Sequence, residues 1–256
     1  MALRNGVLKI SITDHDTVLA YNSCVFEYAK DKGIELITGV EISTKYNNKT
    51  LHVLGYNIDI NNKKLLNELE MIRNQRHIYL RDVAKKFQDM GYMVSVSKLD
   101  KIDAVTKAHI ANDIISNKDN YKLLMDRFGC IPDMALFIES MMNEGCPCYV
   151  KKKSISPIDA ARLIRETSGM VFLAHPVAYK YEDGMDDMEM LQIVKEMDAD
   201  GIEANYIYID KFNNIIDERY HYQELARKNG LKISTGSDFH KLDGLHMEIG
   251  FANYID

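Results

Sequence analysis

The chain has 256 residues, enough for one large domain or two modest ones, and 46% hydrophobic with 27% charged residues is ordinary globular composition, which excludes disordered and fibrous classes. Lysine and arginine number 32 against 38 acids, a net charge of −6 that argues against duplex DNA as a partner, because coating a duplex needs a basic surface. No apolar run approaches the roughly 18 residues of a membrane helix, so no membrane partner is expected.

Taken in chain order, short β-branched and apolar runs predict strands at residues 8–12, 34–40, 51–54, 170–174, 201–204 and 231–235. Helical spacing predicts helices at 18–32 (ended by Gly33), 157–168, 187–197 and 212–228. Strands alternating with helices indicate βα units and a parallel sheet or barrel. The middle differs. Leu65, Leu69, Ile72, Leu80, Val83, Phe87 and Met90 recur at helical spacing and predict one long helix ended by Gly91. Further helices are expected near 107–116, 121–128 and 132–143, with a short strand at 92–96. The reading is therefore an α/β domain in two parts, 1–60 and 147–256, interrupted by a mostly helical insertion over 61–146. The cysteines, Cys24, Cys130, Cys146 and Cys148, fit no zinc-ribbon spacing, and residues 1–6 have neither the basic start nor the apolar stretch of a signal peptide. Reduced thiols in a cytoplasmic protein are expected.

Acids and histidines follow four of the predicted strands: Asp14-His15-Asp16, Glu41, His175-Pro176, and Ser237-Asp238-Phe239-His240. In a parallel sheet or barrel the C-terminal strand ends meet on one face, where sites are built. Histidine and carboxylate without cysteine suit zinc, manganese or iron, and several such ligands imply more than one ion. Taken singly each residue has a plainer role: Asp14 or Asp16 as a helix cap, His52 as a solvent-facing strand residue, Lys151-Lys152-Lys153 as a solvated face. Repetition at strand ends favours a metal site. His77, His221 and His246 lack this context and are read as surface residues.

Five segments occur in a fixed order: Thr13-Asp14-His15-Asp16-Thr17, Gly39-Val40-Glu41, Leu51-His52-Val53-Leu54-Gly55-Tyr56, Phe172-Leu173-Ala174-His175-Pro176 and Gly236-Ser237-Asp238-Phe239-His240. Together they resemble the PHP family, named for polymerase and histidinol phosphatase, over nearly the whole chain. The subgroup resembled contains nucleoside 3',5'-bisphosphate phosphatases and 5'-to-3' exoribonucleases of short RNA. Ala108-His109-Ile110-Ala111 and Cys148-Tyr149-Val150-Lys151 are similar to its insertion and to the exit from it.

The resemblance implies an α/β fold, a distorted (β/α)7 barrel of the PHP type, here missing its first β/α unit, with an inserted mostly helical subdomain. It implies two to three divalent metals, Mn2+, Zn2+ or Fe2+. Glu41 would bridge the first and second, His52 and His175 would complete the second, His15 and His240 would hold the third, and Asp238 would bind the first. Asp14 would orient ligands or touch a metal-bound water, with Asp14, His15 and His240 as the catalytic group. Lys107, His109 and Lys151 are the candidates for a second phosphate or an RNA backbone. The implied reaction is hydrolysis of a phosphate ester of a small nucleotide, or of the 5' end of short single-stranded RNA, by a metal-bound hydroxide. Two departures stand out. The family's opening Asp-x-His-x-His strand and first helix have no counterpart, so an exposed barrel edge, open to a second copy of the chain, is expected. Lys107-Ala108 also replaces the subgroup's Arg-Pro. Two alternatives remain open: a weakly active or inactive protein that binds metal or nucleotide, and a proofreading-type exonuclease.

Overall fold

The computed structural model describes residues 1–47, 49–102, 105–151, 154–210, 212–240 and 248–251. After a 3-10 turn, Ala2–Asn5, the order is β1 (Lys9–Ile12), α1 (Ser23–Asp31), β2 (Glu35–Tyr46), β3 (Lys49–Tyr56), α2 (Lys63–Asp89), α3 (Val96–Leu99), α4 (Lys107–Ser116), α5 (Tyr121–Phe128), α6 (Met134–Met141), α7 (Pro157–Arg165), β4 (Met170–Leu173), α8 (Pro176–Asp183), α9 (Asp187–Glu196), β5 (Gly201–Asn205), β6 (Tyr208–Ile209), β7 (Ile215–Ile216), α10 (Arg219–Lys228) and β8 (Lys232–Thr235). The chain divides into two compact units, Met1–Leu69 with the described part of Ile155–Asp256, and Glu70–Ser154. No helix among the described residues is long and apolar enough to cross a membrane. All four cysteines are free thiols, with Cys148 buried.

The first unit is built on a six-stranded sheet in the order β1-β2-β3-β4-β5-β8, curled as a half-barrel, with β1 and β8 at its edges among the described residues. The all-parallel expectation is corrected. β1 pairs with β2, β4 with β5, and β5 with β8 in parallel, but β3 runs antiparallel to both β2 and β4. Only two residues separate β2 from β3, and Asn47 takes φ +46°, the left-handed backbone of a tight hairpin turn, so no crossover helix intervenes. Val40, Ile42, Leu51, Val53, Val171, Leu173 and Ile202 are fully buried in this sheet, each stabilising the fold by roughly 1.5–3 kcal/mol. Gly55 lets α7 lie close on β3, since a methyl there would sit 2.9 Å from Ile164 Cγ1.

The second unit is helical and has its own core. Phe87 and Phe137 stack at 5.5 Å and 15°, surrounded by buried Leu80, Val83, Ile110, Ile114, Leu124 and Met141.

Three sequence expectations give way to local side-chain hydrogen bonds, which compete with regular structure. The helix expected at 18–32 begins at Ser23, where the Asn22 side chain accepts from Val25 N–H. The buried Val18 and Tyr21 belong to the preceding turn, and the Tyr21 hydroxyl lies 2.7 and 2.8 Å from the carbonyls of Ile12 and Ile37, tying β1 to β2. The helix expected at 212–228 begins at Arg219, because the Asp210 carboxylate accepts from the N–H groups of Phe212 and Asn214 and shapes a β6–β7 hairpin. The strand expected at 92–96 is absent. Met93 and Ser95 donate instead to the side chains of Asn120 and Asp113, and α3 starts at Val96.

Candidate metal centre

β2 is three times as long as β1, and the site grows from that difference. The pairing of β1 with β2 ends at Ile12 and Thr38. Beyond it, the edge of β2 is served by the turn after β1. Glu41 N–H donates to the Asp14 carbonyl (3.2 Å), Asp16 N–H donates to the Glu41 carbonyl (2.8 Å), and Ser43 N–H donates to the Asp16 carboxylate (2.7 Å). Asp16 is fully buried with φ +55°. These bonds set His15 beside Glu41. His52 arrives from β3, opposite Ser43, and its N–H donates to the Tyr179 hydroxyl on α8. Because β3 runs antiparallel, a residue near its start lies level with the ends of the parallel strands. His175 stands at the turn from β4 into α8 with φ +22°, a backbone region that costs non-glycine residues about 1–3 kcal/mol. Asp238, φ +45°, follows β8.

Glu41 is the hub. Its Oε1 lies 2.8 Å from His52 Nδ1, 3.1 Å from His175 Nε2 and 3.9 Å from His15 Nδ1. His52 Nδ1 is 3.3 Å from His175 Nε2. Two sets of potential ligand atoms lie within 4.8 Å of one another, His15–Glu41–His52 and His15–Asp238–His240, and they share His15. His240 Nδ1 donates to the Asp238 carbonyl (2.8 Å) and is 3.6 Å from its carboxylate. The six residues expected to bind metal are thus together. The Asp14 carboxylate belongs to neither set among the described residues.

Burial and charge oppose each other here. Burial pushes Glu41 up, but hydrogen bonds from His175 and His52 outweigh it and hold the carboxyl well below its usual range. Burial also pulls His175 down, and the Glu41 hydrogen bond and charge overcome it, leaving the ring at about 9. His15 is lowered, burial prevailing over the attraction of Glu41. The donor set fits a divalent cation. His15 Nδ1 is buried without a hydrogen-bond partner and faces a carboxylate that it does not reach, an arrangement a shared cation would satisfy.

The other expected residues lie in the second unit. Lys107 Nζ donates to the Asn143 side chain (3.0 Å), His109 and Thr106 form a capping box at the start of α4, and Lys151 is exposed. His77 and His221 each lie 2.9 Å from a carboxylate, Asp100 and Asp187, and join neither ligand set. His77 is half-buried rather than on the surface. His246, Lys152 and Lys153 fall outside the described residues. Glu203 on β5 was not anticipated. It is buried, and its carboxylate accepts from His175 N–H (3.0 Å). Burial, opposed by His175, pushes it up to about 7. An acid inside the apolar run Gly201-Ile202-Glu203-Ala204 was the available signal.

No family model matches the chain. It is 27% identical over 242 residues to a 5'-3' exoribonuclease of Haemophilus influenzae, covering 93% of this chain and 81% of that protein. It is 25% identical over 235 residues to a 3',5'-nucleoside bisphosphate phosphatase of Chromobacterium violaceum, covering 90% and 76%. Among solved structures, an amidohydrolase from Chromobacterium violaceum with bound sulfate and no metal aligns with a TM-score of 0.67 at 24% identity, over 96% of this chain and 81% of that one. A protein described as a metal-dependent phosphoesterase from Bifidobacterium adolescentis aligns with a TM-score of 0.66 at 16% identity, over 94% and 80%. The likeness to the solved structures shows a shared fold, and the relatives matched over nine-tenths of the chain show that it is a hydrolase.

Proposed function

We propose that this hydrolase cleaves phosphate esters of small nucleotides or the 5' ends of short RNA, as a phosphoesterase of the PHP type using two to three divalent ions, Mn2+, Zn2+ or Fe2+. The observation that carries this reading is the convergence of His15, His52 and His175 on the single buried carboxylate of Glu41, with Asp238 and His240 completing a second set through His15. Glu41, His52 and His175 would hold one ion, His15 and His240 another, and Asp238 with Glu41 a third. Divalent cations there supply Lewis acidity toward a phosphoryl oxygen and make water a nucleophile at neutral pH.

The chain's own residues do the rest. Glu41, kept ionised by its histidine neighbours, provides negative charge, and the Asp14 and Asp16 backbone bonds fix its stretch of β2. His240 is the most exposed of the ligating histidines, its side chain 47% accessible against 29% for His15, which supports it, with His15, as the catalytic ligand that meets the substrate. Asp14 is assigned to orienting these groups. Lys107, His109 and Lys151 are assigned to a second phosphate or an RNA backbone on the strength of their positive or protonatable side chains.

The test is a comparison of substrates with Mn2+ present: a nucleoside 3',5'-bisphosphate, a short 5'-phosphorylated RNA, histidinol phosphate and duplex DNA. The first two are expected to turn over fastest and duplex DNA not at all. Faster turnover of histidinol phosphate or of duplex DNA would overturn the substrate assignment.

A further inference from the structure

The buried acid on β5 touches two of the turns that carry the proposed ligands. In the sheet order β4-β5-β8, Glu203 lies on the middle strand, between the turn after β4 that bears His175 and the turn after β8 that bears Asp238. Toward the first turn, its Oε2 accepts from His175 N–H at 3.0 Å. That amide belongs to a residue at φ +22°, and Pro176, which follows, has no N–H to offer, so this bond anchors the turn from β5, as Ala174 N–H, donating to the His52 carbonyl at 3.1 Å, anchors it from β3. Toward the second turn, the carboxylate takes the space that a Cβ on Gly236 would need, so any side chain there would collide with it. Gly236 is two residues before Asp238. Among the described residues Glu203 belongs to neither ligand set, so it is not itself placed as a ligand.

Stability does not explain the residue. Glu203 is itself buried, and desolvating a carboxylate costs more than one amide hydrogen bond restores. We propose that Glu203 is a positioning residue, which fixes the His175 turn against the Asp238 turn and thereby sets the spacing of the metal ligands. The inference rests on the reading of the cluster as a metal centre.

Three variants test it: Glu203→Ala, Glu203→Gln and Gly236→Ala, each stripped of metal and titrated with Mn2+ by calorimetry and with Co2+ by visible absorption. Loss of an outer partner of a metal ligand weakens binding by about 10–100-fold, and that range is expected for Glu203→Ala, together with a changed Co2+ spectrum. Glu203→Gln keeps an oxygen that accepts from His175 N–H and should bind within about threefold of the unaltered protein. Gly236→Ala leaves Glu203 in place but displaces its carboxylate, and should behave like Glu203→Ala. Circular dichroism of the metal-free proteins reports folding, and if Glu203→Ala does not fold, the contrast between the other two variants decides. Unchanged Mn2+ affinity and Co2+ spectrum in Glu203→Ala and Gly236→Ala, or Glu203→Gln as weak as Glu203→Ala, would overturn the inference while the metal centre stands. An unaltered protein that takes up neither ion would overturn the metal centre and this inference together.

Discussion

Asp16 should be the most sensitive residue of the turn that holds Glu41, and three substitutions separate its two roles. It accepts from Ser43 N–H at 2.7 Å in a fully buried setting, and its backbone stands at φ +55°. A hydrogen bond to a buried charged group contributes about 1.5–3 kcal/mol, and a left-handed backbone costs alanine roughly 1–2 kcal/mol more than glycine. Asp16→Ala loses the bond and adds the strain, for a total of about 2.5–5 kcal/mol. Asp16→Gly loses the bond without the added strain, about 2 kcal/mol on the same reckoning. Asp16→Asn keeps an acceptor oxygen and tolerates positive φ, so it should cost under about 1 kcal/mol. At roughly 2–4 °C per kcal/mol for a unit of this size, Asp16→Ala should melt about 5–20 °C lower, with Asp16→Gly between it and Asp16→Asn. Thermal unfolding of the metal-free proteins by circular dichroism reads the order. Asp16→Ala melting within about 2 °C of the unaltered protein, or Asp16→Gly melting below Asp16→Ala, would refute the reasoning.

The same chemistry sets a pH dependence. His175 is raised to about 9, so its pairing with Glu41 stabilises the metal-free fold fully below the ring's unfolded value of 6.5 and is lost as pH rises through 9. Glu41 is depressed, so its share is present above the unfolded value of 4.5 and is lost as pH falls through the lower folded value. Melting temperature against pH should therefore fall between 6.5 and 9 in the unaltered protein, and fall less in His175→Ala. In the second unit, Phe137→Ala removes a fully buried ring stacked on Phe87, and should cost about 3–5 kcal/mol in urea unfolding followed by probes within residues 70–154.

Residues with a strong local reason were legible in the sequence. The long α2 was, because Leu65, Leu69, Leu80, Val83 and Phe87 share one helical face and all are buried. The convergence of His15, Glu41, His52, His175, Asp238 and His240 was, because each lies in or at the end of a recognisable strand. What stayed hidden depends on partners far along the chain. The reversed direction of β3 follows from a two-residue connection beside a β2 that runs well past its predicted end, and apolar runs do not reveal direction. The hairpin at 208–216 depends on one carboxylate, that of Asp210, gathering two amides against a helical period. Glu203 escapes a reading of the sequence because it sits inside a strand rather than after one, and its contact with the His175 turn depends on β4 lying beside β5.

The central claim is that Glu41 and its histidines hold a divalent ion that the hydrolysis needs. It is tested most directly by measuring release of phosphate from a nucleoside 3',5'-bisphosphate by the unaltered protein and by His175→Ala, each metal-stripped and then supplied with Mn2+. The stripped proteins should show no turnover, Mn2+ should restore it in the unaltered protein, and His175→Ala should be slower by about 100-fold or more, with Mn2+ content falling in parallel. Equal rates with and without Mn2+, or a His175→Ala protein as active and as metal-loaded as the unaltered one, would contradict it.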